Sequence, residues 1–170
     1  MLLNERESKA LEERVKTELR FRPDAKYREH SLLWWRRPFR LPRPWAVYAL
    51  DACSQEQIEQ TGEQVKGCLL AVTRPGERLY ALDWQHSAFL FDPRKDEEQR
   101  DTPQIDENGE EWTAAFPFYY PEGDYAFFLD EGFRFGYLGH PWRKEIWVFG
   151  ETLLPEIARI APALGWKRLR

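Results

Sequence analysis

Apolar residues punctuate the first twenty positions at a helical interval. Leu11, Val15 and Leu19 recur every fourth residue among charges, which predicts an amphipathic helix over Asn4 to Arg20 with one buried stripe. Pro23 is expected to stop it, because proline removes a backbone donor and fixes φ. The next segment, Tyr27 to Pro44, has the core WWRRPFRLPRP with three prolines and no period, so an extended arm is expected, followed by a strand at Trp45 to Leu50. Ser54 with Gln57 three residues on matches a capping box. Ile58, Val65, Cys68 or Leu69, and Val72 then keep helical spacing, predicting a second helix over 55 to 73. Gly62 and Gly67 each weaken that helix by roughly 1 kcal/mol relative to alanine, and a hairpin through Arg74-Pro75-Gly76-Glu77 competes with it.

Beyond residue 78 the pattern shortens to that of strands. Leu79 to Trp84 and Ala88 to Phe91 read as strands, whereas Asp92 to Glu111 shows no apolar period and reads as an acidic loop. A loop of that length is uncommon unless it is functional or disordered. Pro121-Glu122-Gly123-Asp124 and Asp130-Glu131-Gly132 are turn sequences that bracket strands at Tyr125 to Leu129 and Phe133 to Leu138. A strand at Glu145 to Phe149, a short helix at Leu153 to Ile160 and an edge strand at Trp166 to Leu169 complete the series. The order predicts an α+β fold, an antiparallel sheet of about five to six strands with helices packed mainly on one face. One domain is expected over 1–170, with the helix and the Pro/Trp/Arg-rich arm (1–45) preceding an α+β core (45–170).

Composition supports a self-sufficient core. Aromatic residues make up 15% of the chain, including 8 Trp and 11 Phe, so ring burial can drive folding without a metal or disulfide staple. The two cysteines, Cys53 and Cys68, form neither CxxC nor a Cys/His cluster, which argues against a disulfide scaffold and a zinc site and fits a reducing cytoplasm. No apolar stretch approaches a leader or a membrane span, so neither secretion nor insertion is expected.

The net charge of −4 is unevenly spread. Residues 1–45 hold 12 Lys/Arg against 7 Asp/Glu, while residues 92–111 hold 3 against 9. A basic arm and an acidic loop could complement each other within the fold, or each could face a partner.

Three stretches, ALDWQHSAFLFDP (81–93), YPEGDYAFFL (120–129) and GYLGHPWRKEIWVFG (136–150), together resemble a bacterial family of domains of unknown function. Its members show ALDWQH, then PxGDYxFFL, then GHPW with a closing VFG. The resemblance covers the middle and end of the chain. It implies no activity, cofactor or site, because that family has none assigned.

The candidate chemistry therefore rests on residue types. His86 and His140 lie near Asp83 and Asp124 in sequence, and a carboxylate and imidazole pair could serve as orienter and general base or ligate a metal. The same residues commonly cap strand ends and turns. Ser54 and Ser87 lack a nucleophile elbow, Cys68 falls on a buried helix face, and neither GxGxxG nor GxxxxGK occurs. No cofactor or metal is predicted, and catalysis is not the favoured reading. Trp34, Trp35, Arg36, Arg37 and Arg40 interleave rings with cations as a single-strand nucleic-acid platform would, although docking of the arm on its own sheet is the commoner use.

The favoured expectation is a non-catalytic binding protein. An acidic loop on a small scaffold suits electrostatic capture of a basic protein, the physics by which immunity proteins occlude a cognate toxin. The expected contacts are Asp96, Glu97, Glu98, Asp101, Asp106, Glu107 and Glu110, with Trp34 and Trp35 as aromatic anchors. A solvated surface loop without a partner is the plainer alternative.

Overall fold

A computed structural model describes residues 1–22, 39–50 and 54–170 of the chain. Helix α1 spans Glu5–Glu18 and starts as a capping box, in which the Asn4 side chain accepts from Glu7 N and the Glu7 carboxylate accepts from Asn4 N, each at 3.0 Å. It stops before Pro23. Leu19 is its C-cap and Arg20 takes a left-handed φ of 46°, so the backbone turns away earlier than the proline requires.

Strand β1 is Trp45–Ala49 and helix α2 is Gln55–Val72, capped by Ser54 and Gln57 as the sequence predicts. Arg74 to Glu77 is the turn that leaves this helix. Strands β2 (Leu79–Asp83), β3 (Ser87–Phe91), β4 (Thr102–Ile105), β5 (Glu111–Ala114), β6 (Ala126–Asp130), β7 (Gly136–His140) and β8 (Glu145–Phe149) follow. Helix α3 (Leu153–Ile160) and strand β9 (Lys167–Arg168) complete the chain. The main sheet has seven strands in the order β3-β2-β6-β7-β8-β1-β9, every pair antiparallel, and β4-β5 is a separate hairpin.

This is an α+β fold whose sheet is buried on both faces. Along β6, Ala126 and Phe128 point to one side and Phe127 and Leu129 to the other, as the two-residue strand period dictates, and all are buried. Helices α2 and α3 cover the first side with Val65, Leu69, Leu153 and Ile157. Helix α1 and its flanks cover the second with Leu11, Val15, Phe21 and Phe39. Each such side chain taken from water contributes roughly 1.5–3 kcal/mol.

Two connections differ from the sequence reading. The strand expected from Phe133 begins at Gly136, because Phe133 adopts a φ of 54° and the Asp130 carboxylate organises a longer turn, accepting from Gly132 N at 3.0 Å and Arg134 N at 3.1 Å. Gly136 is required where β7 starts: a Cβ there would lie 2.5 Å from the Phe149 ring and 2.6 Å from Leu129. The second difference is larger. Residues 92–111 are not a structureless loop but hold a 3-10 helix, Asp96–Glu98, and the first strand and turn of the β4-β5 hairpin. Gly109, with φ of 82°, closes that turn, while Asp106 accepts from Asn108 N at 2.8 Å and Glu110 N at 2.9 Å.

Residues 1–3 lie along the outer side of β3, with Leu3 N donating to Ala88 O at 2.8 Å and Leu90 N donating to Met1 O at 2.9 Å. The opposite edge is the two-residue β9. Among the described residues, no helix is long and apolar enough to cross a membrane.

Candidate functional site

Asp83 ends β2, His86 lies in the turn to β3, and Asp124 immediately precedes Tyr125 and β6. That turn brings the three together. His86 Nε2 lies 3.7 Å from Asp124 Oδ2, and all three line an open cavity of about 520 Å³ together with Trp112 and Thr113 of β5. Burial pushes the Asp83 carboxyl upward, with the Asp124 charge adding to the shift and His86 opposing it. Ser87 Oγ donates to Ala115 O at 2.5 Å, which ties the hairpin's exit to the sheet.

His140 is elsewhere. It shares a face of β7 with Leu138, on the α1 side of the sheet, is fully buried, and contacts Tyr125 and Trp142 edge to face. Burial and the nearby Arg143 lower its pKa to about 3, so its imidazole stays neutral. Asp83, His86 and Asp124 thus form one small acid and imidazole cluster, and His140 does not line their cavity. Among the described residues, no three His, Cys, Asp or Glu side chains are grouped to hold a metal ion. Cys68 is buried and its thiol is pushed up to about 11 by burial, as expected of a small hydrophobe.

The acidic residues of 92–111 divide by role. Lys66 Nζ bonds Asp96 Oδ1. Glu98 accepts from Asp92 N at 2.8 Å and pairs with Arg78 and Lys95, each at 3.3 Å. Asp101 accepts from Phe116 N at 2.9 Å, and Asp106 holds the hairpin turn. These four fasten the segment to the body and to itself. Glu97, Glu107 and Glu110 are exposed and make no ion pair among the described residues. The same part of the chain exposes large apolar side chains: Ile105 is 70% exposed, Phe118 66% and Trp112 46%.

Between α2 and residues 115–121 runs a second concavity, a groove of about 470 Å³. Its floor is aromatic, with Phe116 and Tyr120 buried and Tyr119 stacked on Phe128 at 4.3 Å between ring centroids. Among the described residues its walls carry Glu59, Glu63, Asp96 and Asp101 against one cation, Lys66. Burial raises the Tyr119 phenol pKa well above its ordinary value, and Asp96 and Glu63 raise it further. Sequence reading named Asp96 and Asp101 but not Glu59, Glu63 or Phe118, because α2 and the Phe-Pro-Phe-Tyr-Tyr run meet only in three dimensions. Trp34, Trp35, Arg36 and Arg37 lie outside the described residues.

Compared with known proteins, the chain is 40% identical over 92 residues to the uncharacterized protein YxiI of Bacillus subtilis (strain 168). The match takes in 54% of this chain, which spans about half (51%) of that relative's length. No solved structure matches. The DUF2716 family, described as proteins of unknown function, matches residues 2–154, so the N-terminal fifty residues that carry none of the three motifs fall inside it. On that match, which stops within the last helix and short of the edge strand, the chain belongs to the DUF2716 family.

Proposed function

We propose that this chain is a non-catalytic binding protein of the cytoplasm that neutralises a cognate toxin, in the manner of an immunity protein, by covering a basic surface of it. The observation that carries this reading is the division of labour in residues 92–114. Four carboxylates fasten this segment to the body and to itself, and Glu97, Glu107 and Glu110 are left exposed without ion pairs among the described residues, the last two in the hairpin turn that follows the exposed Ile105. A fixed hairpin presents charge with little ordering cost on binding, and exposed carboxylates around apolar side chains steer a basic partner and then hold it.

The test is rescue. Products of neighbouring genes are expressed one at a time in a host with and without this chain. Restored growth with a stoichiometric, salt-sensitive complex is expected for one of them. The triple substitution Glu97→Lys, Glu107→Lys, Glu110→Lys is expected to abolish rescue while leaving the far-ultraviolet circular dichroism unchanged. Absence of any toxic neighbour that the wild-type chain neutralises would sink the reading.

A further inference from the structure

We propose that the groove between α2 and residues 115–121 receives a cationic amphipathic segment of the partner protein, with basic side chains on its acidic walls and an apolar side chain against Phe118. This deepens, and rests on, the toxin-binding reading above.

Charge is the first ground. Among the described residues the walls carry four carboxylates and one lysine, and that lysine is already engaged by Asp96, so Glu59, Glu63 and Asp101 leave this lining negative. Burial is the main cause of the upward shift of the Tyr119 phenol at the floor, and the Asp96 and Glu63 charges add to it. A cationic occupant offsets the negative lining; an anionic one would add repulsion.

Shape and exposure supply the second ground. In the run Phe116-Pro117-Phe118-Tyr119-Tyr120, Phe116 and Tyr120 are buried and Tyr119 stacks on the sheet, while Phe118 stands 66% exposed on the rim. An exposed ring beside an aromatic trough is the arrangement of an interface anchor, and covering it removes apolar surface from water. The floor is rigid because Tyr119 Oη donates to Gln99 Oε1 at 2.9 Å and Tyr137 Oη donates to Tyr119 O at 2.6 Å. Little ordering cost is therefore added when a segment docks. An entering chain needs both properties at once, since a purely basic peptide would leave Phe118 in water and a purely apolar one would leave the carboxylates uncompensated.

The experiment uses the full chain and a fluorescent short peptide of alternating leucine and arginine, with leucine–glutamate and glycine–arginine peptides as controls. Anisotropy should show binding of the leucine–arginine peptide alone. Combining Phe118→Ser with Glu63→Lys should weaken it at least about tenfold, whereas Glu107→Lys with Glu110→Lys should change it less than about threefold. Equal binding of the glycine–arginine peptide overturns the proposal, because the apolar contact is then irrelevant. So does sensitivity to the hairpin pair instead of the groove pair, or no binding to the wild-type chain. In each of those cases growth rescue by the wild-type chain still decides the toxin-binding reading separately.

Discussion

His140 occupies the sheet interior with Nε2 3.5 Å from the Tyr125 hydroxyl and Nδ1 lacking a hydrogen-bond partner among the described residues. Its cross-strand neighbour is Glu145, whose carboxyl is itself pushed upward by burial. A histidine depressed to about 3 in the folded state but near 6.5 when unfolded has a definite sign in linkage. Its contribution is complete above about pH 6.5 and is lost as pH falls toward 3, because only the unfolded chain takes up the proton. The expected slope is about 1.4 kcal/mol per pH unit within that window. Urea unfolding between pH 7 and 4 should be correspondingly flatter in His140→Leu than in the wild-type chain, and the His140 ring resonances should not move over that range. Titration of His140 near pH 6.5 would refute its assignment as a neutral core residue. In sequence, His140 and His86 look alike, each beside a motif acid. What separates them is burial of both sheet faces, which the letters GHPW do not reveal.

The elements with an apolar period were legible: α1, α2 and α3 fall within two residues of their expected bounds, and β8 lies where Glu145 to Phe149 was read. The β4-β5 hairpin was not. Its strands, TPQI and EWTA, are only four residues each and largely exposed, with no buried apolar stripe to mark them, so only the Asn108-Gly109 pair signalled a turn. That pair also yields a prediction. Gly109 holds a φ of 82°, so Gly109→Val should cost about 1–2 kcal/mol of local stability. Amide exchange should accelerate over residues 102–114 and stay unchanged in β6, β7 and β8. Equal acceleration in the main sheet would mean that the hairpin is part of the cooperative core rather than mounted on it.

At the scale of the molecule, two apolar layers flank one sheet, and the α1 side depends on a ring cluster. Phe21 packs against Phe39 at 5.0 Å, Trp84 at 4.6 Å, Tyr125 at 4.9 Å and Phe127 at 5.1 Å between centroids. Phe21→Ala should destabilise the whole fold by about 3–5 kcal/mol, read as a lower urea midpoint with an unchanged slope. A biphasic transition would show instead that the N-terminal layer unfolds on its own. The fold class could be read from the order of elements. The candidate surface could be read only as a charge block, since which carboxylates anchor and which remain open depends on Lys66, Arg78 and Phe116, remote in sequence. The sheet's margins bear on how any partner is met. One side of β3 is already occupied by residues 1–3, and the opposite margin is two residues long. Among the described residues neither margin of this sheet offers a long free ladder, so strand augmentation at the main sheet's edges is disfavoured and association through side-chain recognition is favoured.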